Sequence, residues 1–505
     1  MNKFLFLILC ISFTSSFSQQ IQTQIGANSE ELNNSSYVCK TATSFYAIDM
    51  PYVRAVTDGF KLKKYSLLTL QQEYDRELKV SKKNKKDDVR YDNILSLKDQ
   101  LILFISSFDN KTETDAIVAY FINADGPLNP ESKELYAAKS TNDEHYATCR
   151  FSLSVDSSKL VMLYKDAGEK DKNVSFILKT YDDKLNLLLT KNIELPFPST
   201  SCEISDELLD KNGNLYFLAE VEPTKLYPDG AMEIVHYNSS NGDMHRYPVT
   251  VKQKFILNSA LQMNEKGNLI YAGIYAKEKP KSRMMVGTYA PMPIMEGTFY
   301  FLFDPVKAEI IKHDEKDFKK IYPDEKLAFF YLDHVVVLEN GYTILLCQFE
   351  KSVTIQNGKI GEPKSSSSTY YGGNIIAVGF NEGQEEAWVK RIQKDQVLDE
   401  QKYTSYALIT GKDKIFLLYN DNYANKDIPL TSAMDKTTKL KNTIPMLAVI
   451  EGNGTLNGQA LFENSEPGKK WLQLNFNFSP AKNETILLNE GEVAKKIVIQ
   501  KIKIN

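Results

Sequence analysis

Short apolar runs broken by polar turns recur along the whole chain, and two kinds of hairpin alternate. The first is an apolar run, a polar or Gly-containing turn and a strongly apolar run. It occurs at 94–105, 151–164 and 208–218, and again around the turns 265–268, 339–341, 411–414 and 481–484. Asn212-Gly213 and Asn340-Gly341 are the pairs a tight hairpin favours, because its central positions need positive φ. The second kind is an apolar strand ending at Asp, Asn or Glu, a turn, and a more polar strand. Runs 116–122, 176–181, 232–237, 299–303, 375–380 and 446–450 have this form. Asp and Asn fit the exits because their side chains bond the backbone two residues on.

Four strands in two hairpins, repeated at about 55 to 75 residues, is the pattern of a β-propeller. The all-β expectation is a single propeller of seven four-stranded blades over 45–505, with eight blades as the alternative should the copy at 60–80 form its own. A string of separate β-sandwiches fits less well, since no long Pro-, Gly- or Ser-rich linker divides the repeats. The copy at 471–504 lacks a final strand, which strands from the N-terminus can supply, removing an open seam. Residues 19–44 are expected to be an N-terminal extension.

Composition narrows the partners. With 61 Lys+Arg against 65 Asp+Glu the net charge is −4, which argues against nucleic-acid binding through a basic patch. The 28 Tyr and 26 Phe suit half-buried strands. Residues 1–18 read as a secretory signal: Lys3, an apolar run over 4–13, and the small-x-small Ser16-Phe17-Ser18. No later stretch reaches the ~18 apolar residues of a membrane span. The expected location is therefore the periplasm, the outer-membrane surface or the exterior. Lipidation at Cys10 is disfavoured because Leu9 is not small. Four cysteines then remain, Cys39, Cys149, Cys202 and Cys347. Cys347 reads as a buried thiol, whereas a Cys149–Cys202 bridge is an open alternative because both precede equivalent strands.

Phe478-Ser479-Pro480 followed by Thr485-Ile486-Leu487-Leu488 resembles the WD40-like repeat of TolB-type and oligopeptidase propellers. The resemblance implies an exported bacterial propeller and carries no functional residue across. The last repeat is expected to close the chain, with no oligopeptidase hydrolase domain after it.

In a propeller the loop between strands two and three shares a face with the connection to the next blade. Those loops are short at 106–114, 165–173 and 222–230 but long at 277–297, 351–373 and 421–443. Long loops in a compact fold usually act, and Met and Tyr suit an adaptable contact surface. Met285, Tyr289, Met292 and Met295 in the first, Tyr370 and Tyr371 in the second, and Tyr423 and Met434 in the third are the candidate binding residues. The competing reading folds these side chains back over the blade edges, and makes 365–368 a flexible Ser tip.

No GxSxG, HExxH, GxGxxG or P-loop occurs, and Asp210-Lys211-Asn212-Gly213-Asn214 reads as a turn rather than a calcium loop. No cofactor or metal is expected. His236 and His245 lie nine apart across a hairpin turn that could bring them near each other, and most such pairs are incidental. The expectation is a non-enzymatic binding or scaffold protein of a bacterial envelope, gripping an envelope protein with the long-loop face. The alternative is a glycan-binding or glycan-processing propeller, with Arg150, Glu203, Asp206 and His334 converging on a central channel.

Overall fold

The computed structural model describes residues 21–29, 32, 35–49, 59–80, 88–109, 111–139, 148–165, 172–222, 224–228, 230–251, 254–278, 294–357, 365–383, 387–462, 466–491 and 496–505. They form eight four-stranded antiparallel sheets, consecutive in the chain. Seven span 36–78, 88–139, 148–198, 202–248, 255–317, 330–392 and 407–460, the sixth being widened by a fifth strand, Gln396–Leu398. The eighth takes three strands from 470–504 and its outer strand, Ile21–Asn28, from the other end of the chain. The seven expected hairpins of the first kind all form. The sheet that those seven hairpins do not account for is the one at 36–78, whose opening hairpin pairs Ser36–Lys40 with Ser44–Asp49. Strands Ile21–Asn28 and Ser36–Lys40 both fall in the segment expected as an extension.

Each sheet buries both faces against its neighbours. Leu103 and Ile105 pack with Leu62 between the first two sheets, and Phe176 packs with Phe217 between the third and fourth. The same layering links every successive pair. The last sheet meets the first through Phe476, Phe478, Ile486 and Ile499 against Phe45 and Tyr65. The opening strands of neighbouring sheets also touch, including Ser36–Lys40 with Lys470–Phe478. This is an arrangement consistent with a β-propeller. At roughly 25 cal/mol per Å², each apolar layer of ten or more side chains stabilises the fold by tens of kcal/mol before chain entropy is subtracted.

The turns use the chemistry read from the sequence. The Asp210 carboxylate accepts from the backbone of Asn212 and Asn214, both at 2.8 Å, and Gly213 has φ +93°. Both its oxygens accept hydrogen bonds within the turn. Asp182 and Asn264 build the same turn at the ends of their strands. The four described cysteines are all free thiols. Cys149 packs in the layer between the second and third sheets and Cys202 in the layer between the third and fourth, so a whole sheet separates them. The Cys149–Cys202 alternative is corrected accordingly. Among the described residues no helix is long and apolar enough to cross a membrane.

Candidate functional site

The second long loop is a tall hairpin rather than a loop. Strands Tyr342–Asn357 and Ser365–Asn381 stay paired out to Asn357↔Ser365, well past the sheet that holds their bases. Ser365, Ser366, Ser367 and Ser368 are thus strand residues, and the expected flexible tip is corrected. Alternating Thr and Ser with Val353 and Ile355 explain it, since β-branched and hydroxylated side chains favour a pleated pair. Among the described residues no third strand pairs with 351–357 or 365–369.

At the base of this hairpin lies a cleft of about 290 Å³ lined by Phe329, Tyr331, Glu350, Lys351, Tyr370 and Tyr371, with Gln401 and Thr404 on the far wall. The Lys351 ammonium sits 5.2 Å from the Phe329 ring and 5.8 Å from the Tyr371 ring, held between two π faces. Strand Gln396–Leu398 pairs with Tyr370, Tyr371 and Gly372 and fixes the tyrosine backbone from the outer side.

Behind the cleft is a knot of buried polar groups. Asp333 is the extra residue of a β-bulge in strand Phe330–Val337, where the register jumps from Leu332↔Cys347 to His334↔Leu346. Bulges re-aim side chains, and this one leaves a carboxyl beside Tyr406 and near Glu350. Burial, reinforced by the Glu350 charge, pushes its pKa up to about 7. The Lys394 ammonium is buried and donates to the Ser405 carbonyl at 2.7 Å. Burial drives its pKa down to about 7 against the pull of Asp421, Glu350 and Asp333. Asp421 is fully buried, accepts from Asn425 at 3.0 Å, and is raised by burial to about 6. Ser405 holds φ +82°, a costly angle for a residue with a Cβ, and its hydroxyl donates to Gln348 at 2.9 Å. The Gln348 amide nitrogen and one Asp421 oxygen have no hydrogen-bond partner among the described residues, and the Tyr406 hydroxyl lies against the Asp333 carboxyl. Strain, unpaired polar atoms and shifted acids gathered behind one cleft are the marks of a working site rather than of optimal packing.

The sequence-derived candidates divide. Tyr370 and Tyr371 are half-buried and line the cleft. Tyr423, 39% exposed, opens a short 3-10 turn in the third long segment. Met295 is buried between the fifth and sixth sheets, and Met434 packs on the layer between the sixth and seventh. For these two the folded-back reading holds, because a methionine beside an unfilled apolar layer gains more by covering it than by facing water. Met285, Tyr289 and Met292 lie outside the described residues. Arg150 and Asp206 come together through Glu207, which pairs with Arg150 at 3.3 Å, while Asp206 accepts from the Leu261 amide at 3.0 Å. His334 belongs to the sixth sheet and meets Tyr406 instead. The four residues do not assemble as one group. Glu350, Lys351, Phe329 and the Asp333–Lys394–Asp421 knot were not singled out from sequence. The one available signal was Asp333-His334 interrupting the apolar run 329–338.

No protein-family model and no curated protein matches the chain. Among solved structures it is similar to a variant of the Synechocystis apocarotenoid oxygenase, at 9% identity over 90% of this chain and 95% of that one, with a TM-score of 0.36. It is similar to the β-propeller domain of the Trilobed protease from Pyrococcus furiosus, at 10% identity over 86% and 98%, TM-score 0.36. It is also similar to a prolyl endopeptidase, at 11% identity over 83% of this chain and 55% of that one, TM-score 0.36. Identities of this size transfer no residue role and no activity.

Proposed function

We propose that the chain is an exported eight-bladed propeller, one blade per sheet, acting as a non-enzymatic binding protein of the cell envelope. Its ligand is an extended segment of a protein partner, held in the cleft beneath the tall hairpin. The observation that carries this reading is the pairing of an aromatic cleft with a strand ribbon whose outer edges pair with no other strand among the described residues. An extended peptide takes main-chain hydrogen bonds from such an edge and anchors alternate side chains in the adjoining pocket. Tyr331, Tyr370 and Tyr371 supply rigid amphipathic contact, while Lys351 and Glu350 offer one charge of each sign. The parts of the ribbon that bond no neighbour would invite aggregation in a protein with no use for them.

The test is affinity capture from gently solubilised envelopes with cross-linking mass spectrometry, comparing the mature chain with Tyr371→Ala. The reading expects a stoichiometric protein cross-linked through Lys351 or Lys436, lost by roughly tenfold or more in the variant. The melting temperature should move little, because Tyr371 stands outside the apolar layers. Equal capture by both proteins would overturn the assignment of the face. A glycan ligand is the second reading, favoured by the concavity of the same cleft, since tyrosine rings beside a carboxylate also suit a sugar ring. It predicts saturable oligosaccharide binding that Glu350→Gln weakens, with no protein captured.

A further inference from the structure

A second cavity, of about 250 Å³, opens on the fourth sheet, away from the cleft. Three adjacent strands, Leu215–Val221, Ala231–Tyr237 and Met244–Pro248, place Tyr216, His236 and His245 side by side in register. The Tyr216 and His236 rings stack at 4.5 Å, and the two imidazole centres are 6.0 Å apart at 39°. Tyr247 continues the row and touches Phe303 of the fifth sheet at 4.5 Å. The opposite wall is the turn carrying Pro305, Val306 and Ala308.

His236 is 6% exposed, yet neither of its ring nitrogens has a hydrogen-bond partner. The side-chain oxygens of Asn214 and Asn238 already accept hydrogen bonds of their own. Asn214 bonds Asp210 and the Ser239 amide, and the Asn238 carbonyl oxygen accepts from Ser240. A buried imidazole left unpaired is costly, and the space beside it is large enough to hold what would satisfy it.

We propose that His236 and His245 form a divalent transition-metal site, with water in the cavity completing the coordination shell. Directly opposed residues of an antiparallel pair have Cβ atoms about 4.5–5.5 Å apart. Two imidazoles bound to one ion at about 2.0–2.1 Å then place their ring centres roughly 4.5–6.5 Å apart, a range that contains the observed separation. Neutral imidazole favours borderline cations, and the affinity order puts Cu²⁺ first, above Ni²⁺ and Zn²⁺. His245 is exposed, so the ion enters from solvent, and His236 holds it from within.

The experiment is a calorimetric titration of the full mature chain with Cu²⁺ and with Zn²⁺, joined to electron paramagnetic resonance of the 1:1 Cu²⁺ complex. The expected result is one saturable site, tighter for Cu²⁺, with hyperfine splitting from two nitrogens. His245→Ala should weaken it roughly tenfold or more while melting as the parent does, because the side chain lies at the surface. His313→Ala, whose ring stacks on Phe301 in the fifth sheet, should bind as the parent does. Absence of saturable binding, an unchanged constant in His245→Ala, or splitting from a single nitrogen would each overturn the site.

Discussion

Asp333 shows how one residue couples folding to the medium. Its carboxyl keeps its proton up to about pH 7 in the folded chain and gives it up near pH 4 in the unfolded one. The folded state therefore binds more protons between those values. The stabilisation is full below about pH 4 and is lost as pH rises through 7. Asp333→Asn should flatten that fall, by on the order of 1–2 kcal/mol once solvent screening of a half-buried group is allowed for. Urea denaturation at pH 4.5 and pH 8 measures it, and an equal pH dependence in both proteins would contradict the assignment. The sequence marks Asp333 only as a polar interruption. Its altered acidity comes first from burial and then from the charge of Glu350, seventeen residues along the chain, while Lys394 pulls the other way. The thiols make a second prediction at this scale. With Cys39, Cys149, Cys202 and Cys347 all free, reductant should leave the melting temperature of the mature chain unchanged, whereas a disulfide would lower it by several degrees on reduction.

Strands and turns were the most legible elements, because their signal is local. Asp210, Asp182 and Asn264 announce their turns through their own backbone bonds, and alternation marks the strands. The tall hairpin was read as a loop because Ser365 to Ser368 carry no apolar alternation, and the pairing to Thr354 and its neighbours is set by register from the base upward. Gly379 illustrates what element-level pattern conceals. In strand Ser365–Asn381 it looks like a weak point, but a Cβ there would run into the indole of Trp388. That indole donates to the Gly452 carbonyl at 2.7 Å and so ties the sixth sheet to the seventh. Gly379→Ala should displace the ring and lower stability by about 1–3 kcal/mol, as overpacking does. Thermal denaturation followed by tryptophan fluorescence would detect both effects, and a parent-like melt would refute the packing role.

At the scale of the whole molecule, the eighth sheet is assembled from both ends of the described chain. Ile21–Asn28 pairs with Ile497–Ile504, so the contact that completes the sheet is also the longest-range contact in the chain. Closing so long a loop costs entropy that only the finished layer repays. Removing residues 21–28 should therefore cost more than the loss of one edge strand. The exposed edge of Ile497–Ile504 is rich in Ile and Val and should drive association. Size-exclusion chromatography and thermal melting of the truncated chain test this: oligomers and a melting temperature lower by several degrees are expected, and a monomer of parent stability would contradict it.

The sequence by itself determined the all-β class, the two alternating hairpins and the turn chemistry, because periodicity, Asn-Gly pairs and strand-exit Asp act over a few residues. It also placed Tyr370 and Tyr371 on the face that holds the cleft. Only the tertiary structure decided that Met295 and Met434 turn inward, that Cys149 and Cys202 lie on opposite sides of a sheet, and that Asp333, Lys394 and Asp421 share one buried knot. It also decided that His236 is left unpaired beside a cavity. Each of these depends on which sheet packs against which, a relation between residues tens of positions apart that no local pattern encodes.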